Sequence, residues 1–214
     1  MASGAPITAV DDTRQVILSA ALKAFTEKGF DGATARDIAA RAGVNHGLIR
    51  YHFGNKQKLW QAAVDRAFEK LGEALQEIDA PDITDERERF RRLLRSYVRF
   101  VASNPEFVCL MNEEGKRRGP RMRWIADRHV KPLFAALGEL LERGQAAGIL
   151  PAEFTPVHFH YALAGAVGLF FHQAEECKRL SGVDPFDDEV VERHADLIER
   201  LFLGNAPPNP QETP

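Results

Sequence analysis

Apolar residues recur at spacings of three and four along almost the whole chain, and two-residue alternation is rare. This spacing places apolar side chains on one face of a helix, whereas alternation would place them on one face of a strand. The sequence therefore predicts an all-α fold of about nine helices. The clearest apolar stripe comprises Phe90, Leu93, Leu94, Tyr97, Val98 and Val101.

Glycines, prolines and capping side chains mark the predicted helix boundaries. Gly29 is expected to end a first helix over about residues 12–28, because glycine favours the C-terminal cap. Thr34 and Asp37 have the spacing of a capping box, and Asn55 can cap a long helix. Helices are also predicted over about 156–180 and 186–203. Cap-plus-proline pairs predict further starts at Asn104–Pro105, Thr155–Pro156 and Asp184–Pro185.

Composition excludes several classes of protein. Hydrophobic residues make up 44% and charged residues 28% of the 214 residues, which are ordinary values for a soluble globular protein. No apolar run approaches the ~18 residues of a membrane helix, and no signal-peptide pattern opens the sequence. Cys109 and Cys177 do not form a disulfide framework. We therefore expect a reduced, cytoplasmic protein.

Charge is distributed unevenly along the chain. Residues 1–60 carry eight basic and five acidic side chains, whereas the remainder carries 20 basic and 26 acidic ones. A basic head on an acidic body is typical of a small nucleic-acid-binding module attached to a domain that does not bind nucleic acid. An excess of three positive charges does not by itself establish that function.

The segment 33–60 contains two short helices that meet across a tight turn containing Gly43. This arrangement predicts a helix-turn-helix, in which the second helix enters the major groove of DNA. Ile38 and Ala39 are expected to pack against Val44 and Leu48. The residues expected to face outward are Asn45, His46, Gly47, Arg50, Tyr51 and His52, and all but Gly47 have a side chain that can donate a hydrogen bond.

Residues 12–60 resemble the DNA-binding domain of the TetR family of bacterial transcription regulators. The first helix ends in AFTEKGFDGAT, and the motif continues as RDIAARAGVNHGLIRYHFGNKQKLW. In this family the end of the motif usually reads Tyr-Tyr-His-Phe, then one residue, Asn or Ser, Lys and an apolar residue. Arg50 stands here in place of the first aromatic residue, so operator sequences of relatives do not transfer to this chain.

The resemblance implies DNA contacts for particular residues. Gly47 would let the second helix approach the groove, and Arg36 would reach a groove edge or a phosphate. Arg50 can bond a phosphate or pair with the O6 and N7 atoms of guanine. The residues implied to hold the phosphate backbone are Thr34, Tyr51, His52 and Lys56, and those implied to reach bases or nearby phosphates are Asn45 and His46. The structural alternative is that Tyr51 and His52 simply pack between helices.

The expected domain organisation has four parts. Residues 1–10 form an N-terminal arm, and residues 11–56 form a three-helix DNA-binding domain. Residues 57–205 form a helical ligand-binding and dimerisation domain, whose role is implied by the resemblance. Residues 206–214 contain four prolines and are expected to be a disordered tail.

The resemblance also implies an unidentified small-molecule effector, with no cofactor. Candidate lining residues are Phe107, Met111, Trp124, Phe134, Tyr161, Phe170 and Arg121, for most of which a place in the ordinary core is the alternative. Five cations between Lys116 and Arg123 form either a solvated face or a portal for an anionic effector. His172, Glu175 and Glu176 have metal-ligand spacing, but such residues are also common at a charged helix end.

The last two predicted helices form the expected homodimer interface, since small residues on one face would let a second helix come close. The residues of this predicted interface are Ala164, Gly165, Gly168, Val191, His194, Leu197, Ile198 and Leu201. A twofold dimer would present two recognition helices to a pseudo-palindromic site on double-stranded DNA.

The motif and the resemblance thus predict a non-enzymatic transcription regulator, taken first as a repressor that a small molecule releases from its operator. The sequence does not decide between a repressor and an activator. Two alternatives from other classes stay open at this stage. One is a helical enzyme or metal-binding protein whose helix-turn-helix is structural, and the other is a small-molecule carrier or protein-interaction module. Salt-dependent DNA binding would distinguish the regulator from both.

Overall fold

The computed structural model describes residues 9–76 and 83–204, so the predicted tail and all but the last two residues of the predicted arm lie outside it. Those two residues, 9 and 10, begin the first helix. A π-helical turn (Ala126–Val130) joins the seventh and eighth α-helices. The α-helices are α1 (Ala9–Gly32), α2 (Ala35–Ala42), α3 (His46–Phe53), α4 (Lys56–Leu75), α5 (Glu86–Ser103), α6 (Pro105–Gly115), α7 (Pro120–Ile125), α8 (Lys131–Ala146), α9 (Pro156–His172), α10 (Ala174–Ser181) and α11 (Asp188–Leu203).

The all-α prediction is confirmed, since the described residues contain helices and no strand. The predicted helices are present, but two of them are interrupted. The one expected over 156–180 breaks at Gln173, and the one that follows Gly119–Pro120 contains the π-helical turn. The last helix begins later than predicted because Asp184 Oδ1 accepts a hydrogen bond from the backbone of Phe186, which forms a turn there.

Local capping accounts for the boundaries that the sequence predicted well. Thr34 Oγ1 accepts a hydrogen bond from the backbone N–H of Asp37, and Asn55 Oδ1 accepts one from Lys58. Thr155 caps α9 in the same way through the N–H of His158. Gly29 has a φ of 70° and interrupts α1, as expected for a glycine that ends a regular helix.

The chain divides into two compact units. Among the described residues, the N-terminal unit comprises those up to 70 and 109–116, and the C-terminal unit comprises those of 71–108 and from 117 onwards. In the N-terminal unit, α1 packs on α2 and α2 packs on α3. Buried side chains of this unit include Ile17, Phe25, Ile38, Phe53 and Trp60.

The core of the C-terminal unit is built where α5 meets α8, α9 and α11. Phe90 of α5 lies edge-on to Phe159 of α9, with ring centroids 6.4 Å apart, and Phe159 lies edge-on to Phe202 of α11. Gly144 of α8 is buried against the Phe90 ring. These contacts place aromatic rings between helices that approach one another closely.

Ion pairs join the outer surfaces of α5 and α11. Arg95 reaches Glu192 at 2.9 Å, Asp196 at 2.5 Å and Glu199 at 3.2 Å. Arg99 Nε donates to Glu192 at 2.7 Å, and its Nη2 donates to the same carboxylate at 2.8 Å. Hydrogen bonding to Arg99 lowers the pKa of Glu192. Since the apolar faces of the same helices are buried, these pairs fix the alignment of α5 and α11 rather than drive their association.

Acid should weaken this unit through Glu88, near the start of α5. Hydrogen bonds from Arg91 and Arg92 lower the pKa of Glu88 from 4.5 to about 2. A lowered pKa stabilises the folded state above the unfolded value, and the contribution is lost as the pH falls from about 4.5 towards 2. As the pH falls from about 6 to 3, we expect the unfolding free energy of the wild type to fall by about 1–2 kcal/mol more than that of Glu88→Gln. Urea unfolding followed by circular dichroism measures this, and equal losses would contradict the assignment.

Candidate nucleic-acid interface

The α2–turn–α3 segment is held by backbone and capping hydrogen bonds. Gly43 ends α2 with a φ of 66°, and the N–H of Val44 then donates to the carbonyl of Ala39 at 3.0 Å. Asn45 caps α3, because its Oδ1 accepts a hydrogen bond from the N–H of Gly47 at 2.8 Å. The turn is therefore specified by glycine and asparagine at the two positions that require them.

The buried side of α3 differs from the sequence expectation. Ile49 is 3% exposed and Phe53 is buried, whereas Leu48, which was predicted to pack inward, is 36% exposed. Ile49 and Phe53 are four residues apart and so share a helix face, which defines the inner side of α3. The prediction for Leu48 was wrong by one residue, since an eight-residue helix carries too few turns to fix its phase.

The outer side of α3 carries groups that can bond DNA. Tyr51 is 80% exposed, and its ring lies edge-on to that of His52, with centroids 5.1 Å apart. Arg36, His46 and Arg50 are exposed, and within residues 9–76 and 83–204 they have no ion pair or side-chain hydrogen bond. Donors that no internal acceptor occupies are available to phosphate oxygens and base edges.

Two predicted contact residues serve the N-terminal cap of α3. The side-chain oxygen Oδ1 of Asn45 accepts the hydrogen bond from the N–H of Gly47. The side-chain NH₂ group of Asn45 is therefore the group that can donate to DNA. A Cβ added at Gly47 would lie 3.2 Å from that oxygen. Glycine at this position therefore leaves room for the capping hydrogen bond, and no side chain projects from the start of α3 there. Thr34 likewise caps α2, with its residue exposed.

Lys56 lies differently from the other predicted phosphate ligands. Its Nζ donates to the backbone carbonyls of Asp31 at 3.2 Å and Ala33 at 2.9 Å. The same ammonium group lies 4.7 Å from the centroid of the Phe30 ring. The structure thus directs Lys56 towards the connection between α1 and α2, and its phosphate contact stays a prediction. Lys58, which the sequence pattern did not single out, is exposed near the start of α4.

Ion pairs neutralise some of the basic residues of the N-terminal unit. Lys28 Nζ lies 2.7 Å from Asp37, and Arg41 lies 2.7 Å from Glu27. The hydrogen bond from Lys28 lowers the pKa of Asp37, and the bond from Arg41 lowers that of Glu27. These ion pairs hold α1 against α2, whereas Arg36 and Arg50, exposed on α2 and α3, have no ion pair among the described residues.

The candidate effector residues differ in their surroundings. Phe107 is buried edge-on to Phe100, Phe134 lies 5.7 Å from the His160 ring, and Tyr161 is 70% exposed. Trp124 contacts His129 and Arg128, and Arg121, of the same α7, is half-buried. Met111 belongs to the N-terminal unit. Their role as an effector site stays a prediction.

One cavity of about 600 Å³ lies among α9, α10 and α11. Phe170 is the one candidate effector residue that lines it, and its ring stacks on His194 at 4.5 Å. His194 Nε2 is buried without a hydrogen-bond partner among the described residues, and burial lowers the pKa of this imidazole. The sequence did not predict this cavity, because the spacing of apolar residues gives no clear signal for the break at Gln173 between α9 and α10.

The predicted dimer residues fall on two different sides of their helices. Val191 and Ile198 are buried in the protomer, and Gly168 packs against Val108, 3.4 Å from where its Cβ would lie. Gly165 is exposed, and Ala164 and His194 are half-buried. Leu197 and Leu201 are exposed and four residues apart on α11. The exposed apolar stripe of α11 is therefore narrower than the predicted one.

No group of three or more His, Cys, Asp and Glu side chains in the described ranges could hold a metal ion, including the group around His172. No helix in those ranges is both long enough and apolar enough to cross a membrane.

Two family models match the chain. The model described as bacterial regulatory proteins, tetR family, matches residues 17–63, and the tetracycline-repressor-like C-terminal domain matches residues 87–201. The chain belongs to the TetR family. The first match covers the helix-turn-helix, so the resemblance seen in the motif is confirmed, and the second extends it to the helical remainder.

Curated TetR-family relatives align over most of their length. The transcriptional repressor NicS of Pseudomonas putida is 26% identical over 90% of this chain and 92% of its own. The transcriptional regulator TtgR of Pseudomonas putida is 29% identical over 83% of this chain and 89% of its own. Both alignments extend well beyond the DNA-binding motif.

Solved structures share the TetR fold. AibR, in complex with isovaleryl coenzyme A and operator DNA, superposes with a TM-score of 0.71 at 19% identity, over 91% of this chain and all of that one. FadR of Bacillus subtilis, in complex with stearoyl-CoA, gives 0.64 at 18% identity, over 90% of this chain and 99% of that one. At these identities the likeness establishes the fold alone.

Proposed function

We propose that this protein is a sequence-specific DNA-binding transcription repressor that a small-molecule effector releases from its operator. The observation that carries the proposal is the outer face of the helix-turn-helix, where Arg36, His46, Arg50 and Tyr51 are exposed while Ile49 and Phe53 are buried. Membership of the TetR family and the alignment with the repressor NicS support it.

The contact residues divide by chemistry. Tyr51, His52 and Thr34 donate hydrogen bonds to the phosphate backbone and set the position of the helix on DNA. Arg50 and His46 reach base edges, and a guanidinium pairs with the O6 and N7 atoms of guanine. Arg36 supports the same surface from α2.

In a homodimer, the two small helix-turn-helix domains together bind DNA with higher affinity than either one alone. Two recognition helices held by one dimer bind both halves of a pseudo-palindrome together. Leu197 and Leu201, exposed on α11, and Gly165, exposed on α9, supply the apolar side chains and the close approach that a helical interface requires. Val191 and Ile198 are buried in the protomer, and in this proposal they support the interface from within.

The C-terminal unit binds the effector and carries no catalytic activity. Structures of this fold with coenzyme A thioesters support effector binding, and AibR was crystallised with operator DNA as well. The effector acts through its different affinities for the DNA-bound and released conformations. The protein works in the cytoplasm, where its DNA is.

Selection of the purified protein against random duplex DNA tests this function. We expect an enriched inverted repeat, bound with an affinity that falls about 10³-fold or more between about 50 and 200 mM salt. Arg50→Ala should change the enriched sequence, whereas Arg179→Ala, at an exposed arginine of α10, should not. If no sequence is enriched at either salt, the helix-turn-helix is structural and the proposal fails.

A further inference from the structure

The side of α3 that points away from the protein can be located from its buried residues. Ile49 and Phe53 define the inner direction. At about 100° per residue, the opposite direction passes through Tyr51, with Gly47 and Leu48 within about 60° of it. Arg50 and His52 lie at the flanks, at about 100° on either side. The part of α3 that reaches farthest out therefore includes a leucine.

Leu48 has a chemical character unlike its polar neighbours. It is 36% exposed, and its side chain carries no hydrogen-bond donor or acceptor. Gly47, beside it, has no side chain to hold the helix away from a bound duplex. A major groove brought against this face would meet the leucine methyl groups as well as the Tyr51 ring.

The major groove contains one apolar group that such a side chain can distinguish. The C5 methyl of thymine projects into the groove, whereas cytosine, adenine and guanine present donors and acceptors there. Contact between a leucine and this methyl group removes apolar surface from water on both partners, which is favourable. A cytosine at the same place would offer the leucine no methyl group.

We infer that Leu48 is a specificity-determining residue that reads the C5 methyl group of a thymine in each half of the operator. The inference rests on the proposed function, and it adds an apolar contact to the polar ones assigned to α3. It predicts a thymine at one fixed position of each half-site. The methyl group of that thymine contributes more to recognition than the adenine paired with it.

Replacing thymine by deoxyuridine in the selected operator removes only the methyl group. We expect a replacement in one half-site to weaken wild-type binding about fourfold, and replacements in both half-sites to weaken it about fifteenfold. The Leu48→Ala protein should bind the thymine and uracil operators equally, because its contact with the methyl group is already lost. Fluorescence anisotropy of labelled duplexes measures each dissociation constant.

Matched variants separate Leu48 from its surroundings. Val16→Ala removes an exposed aliphatic side chain from α1 of the same unit and should keep the wild-type loss on uracil substitution. Tyr51→Ala should also keep that loss, at lower overall affinity. Because Leu48 is 36% exposed, Leu48→Ala should lower the melting temperature by only a few degrees, which circular dichroism measures.

The outcomes distinguish this inference from the proposed function. A uracil effect that disappears in Leu48→Ala alone supports the methyl contact. An effect that persists in Leu48→Ala, disappears in Tyr51→Ala, or is absent from every thymine of a specifically bound operator overturns it while leaving the repressor function intact. If the wild type binds no duplex specifically, both the function and the contact are overturned.

Discussion

Gly144→Val is expected to lower the free energy of unfolding by about 3 kcal/mol, because the space beside Gly144 is already filled. A Cβ at this position would lie 2.6 Å from Cε2 and 2.8 Å from Cζ of Phe90, and 3.1 Å from Cδ1 of Leu150. Phe90 is fully buried between α5, α8 and α9, so its ring cannot move into solvent. The melting temperature should fall by about 10 °C, as measured by circular dichroism.

Gly138→Val provides the control on the same helix. A Cβ at Gly138 would lie 3.8 Å from the Pro156 ring, which is ordinary contact, and the residue is only half-buried. Valine is the better helix former of the two residues, so the unfolding free energy should change by less than about 1 kcal/mol. Equal losses at the two glycines would show that β-branching in α8, and not the approach of Phe90, is responsible.

Features that depend on neighbours in sequence can be predicted from the amino-acid sequence alone. Thr34, Asn55 and Thr155 cap helices through hydrogen bonds to backbone N–H groups three residues away. Gly29 and Gly43 have positive φ angles, which glycine adopts without strain. The helix-turn-helix itself is specified in this local way, which is why one short segment suffices to identify it.

Side-chain direction is harder to predict where a helix is short or has two apolar sides. In α3, Leu48 and Ile49 are adjacent and equally hydrophobic, and only tertiary packing determines that Ile49 is buried. In α11, apolar residues occupy more than one face, so Val191 and Ile198 pack inward while Leu197 and Leu201 remain exposed. Sequence periodicity locates an apolar stripe but does not divide it between a core and an interface.

Contacts between distant residues leave no sequence signal. The family resemblance implies a phosphate contact for Lys56, and no sequence pattern indicates that its ammonium group also bonds carbonyls about 25 residues earlier in the chain. Arg95 donates to Glu192 and Asp196, which lie about 100 residues later in the chain. They belong to a helix that no local sequence pattern pairs with α5. Such pairings are properties of the folded arrangement alone.

Tyr51→Phe is expected to weaken DNA binding about 100-fold in the homodimer, for specific and non-specific duplexes alike. The change removes only the phenolic hydroxyl. A hydrogen bond to a charged phosphate contributes about 1.5 kcal/mol, so losing it in each of the two protomers lowers the DNA affinity roughly tenfold per protomer. Tyr51 is 80% exposed, and the folded state should therefore be as stable as the wild type. Anisotropy titrations with the selected operator and a scrambled duplex measure both affinities.

Tyr161→Phe makes the same chemical change on α9, at a tyrosine that is 70% exposed. Its affinity for both duplexes should match the wild type, which separates loss of a DNA contact from any general effect of removing a surface hydroxyl. The ratio of specific to non-specific affinity is the decisive quantity for Tyr51. Phosphate contacts position the helix on any sequence, so this ratio should stay constant as both affinities fall. A ratio that falls in Tyr51→Phe would instead place the hydroxyl on a base edge, beside Leu48 in the reading of sequence.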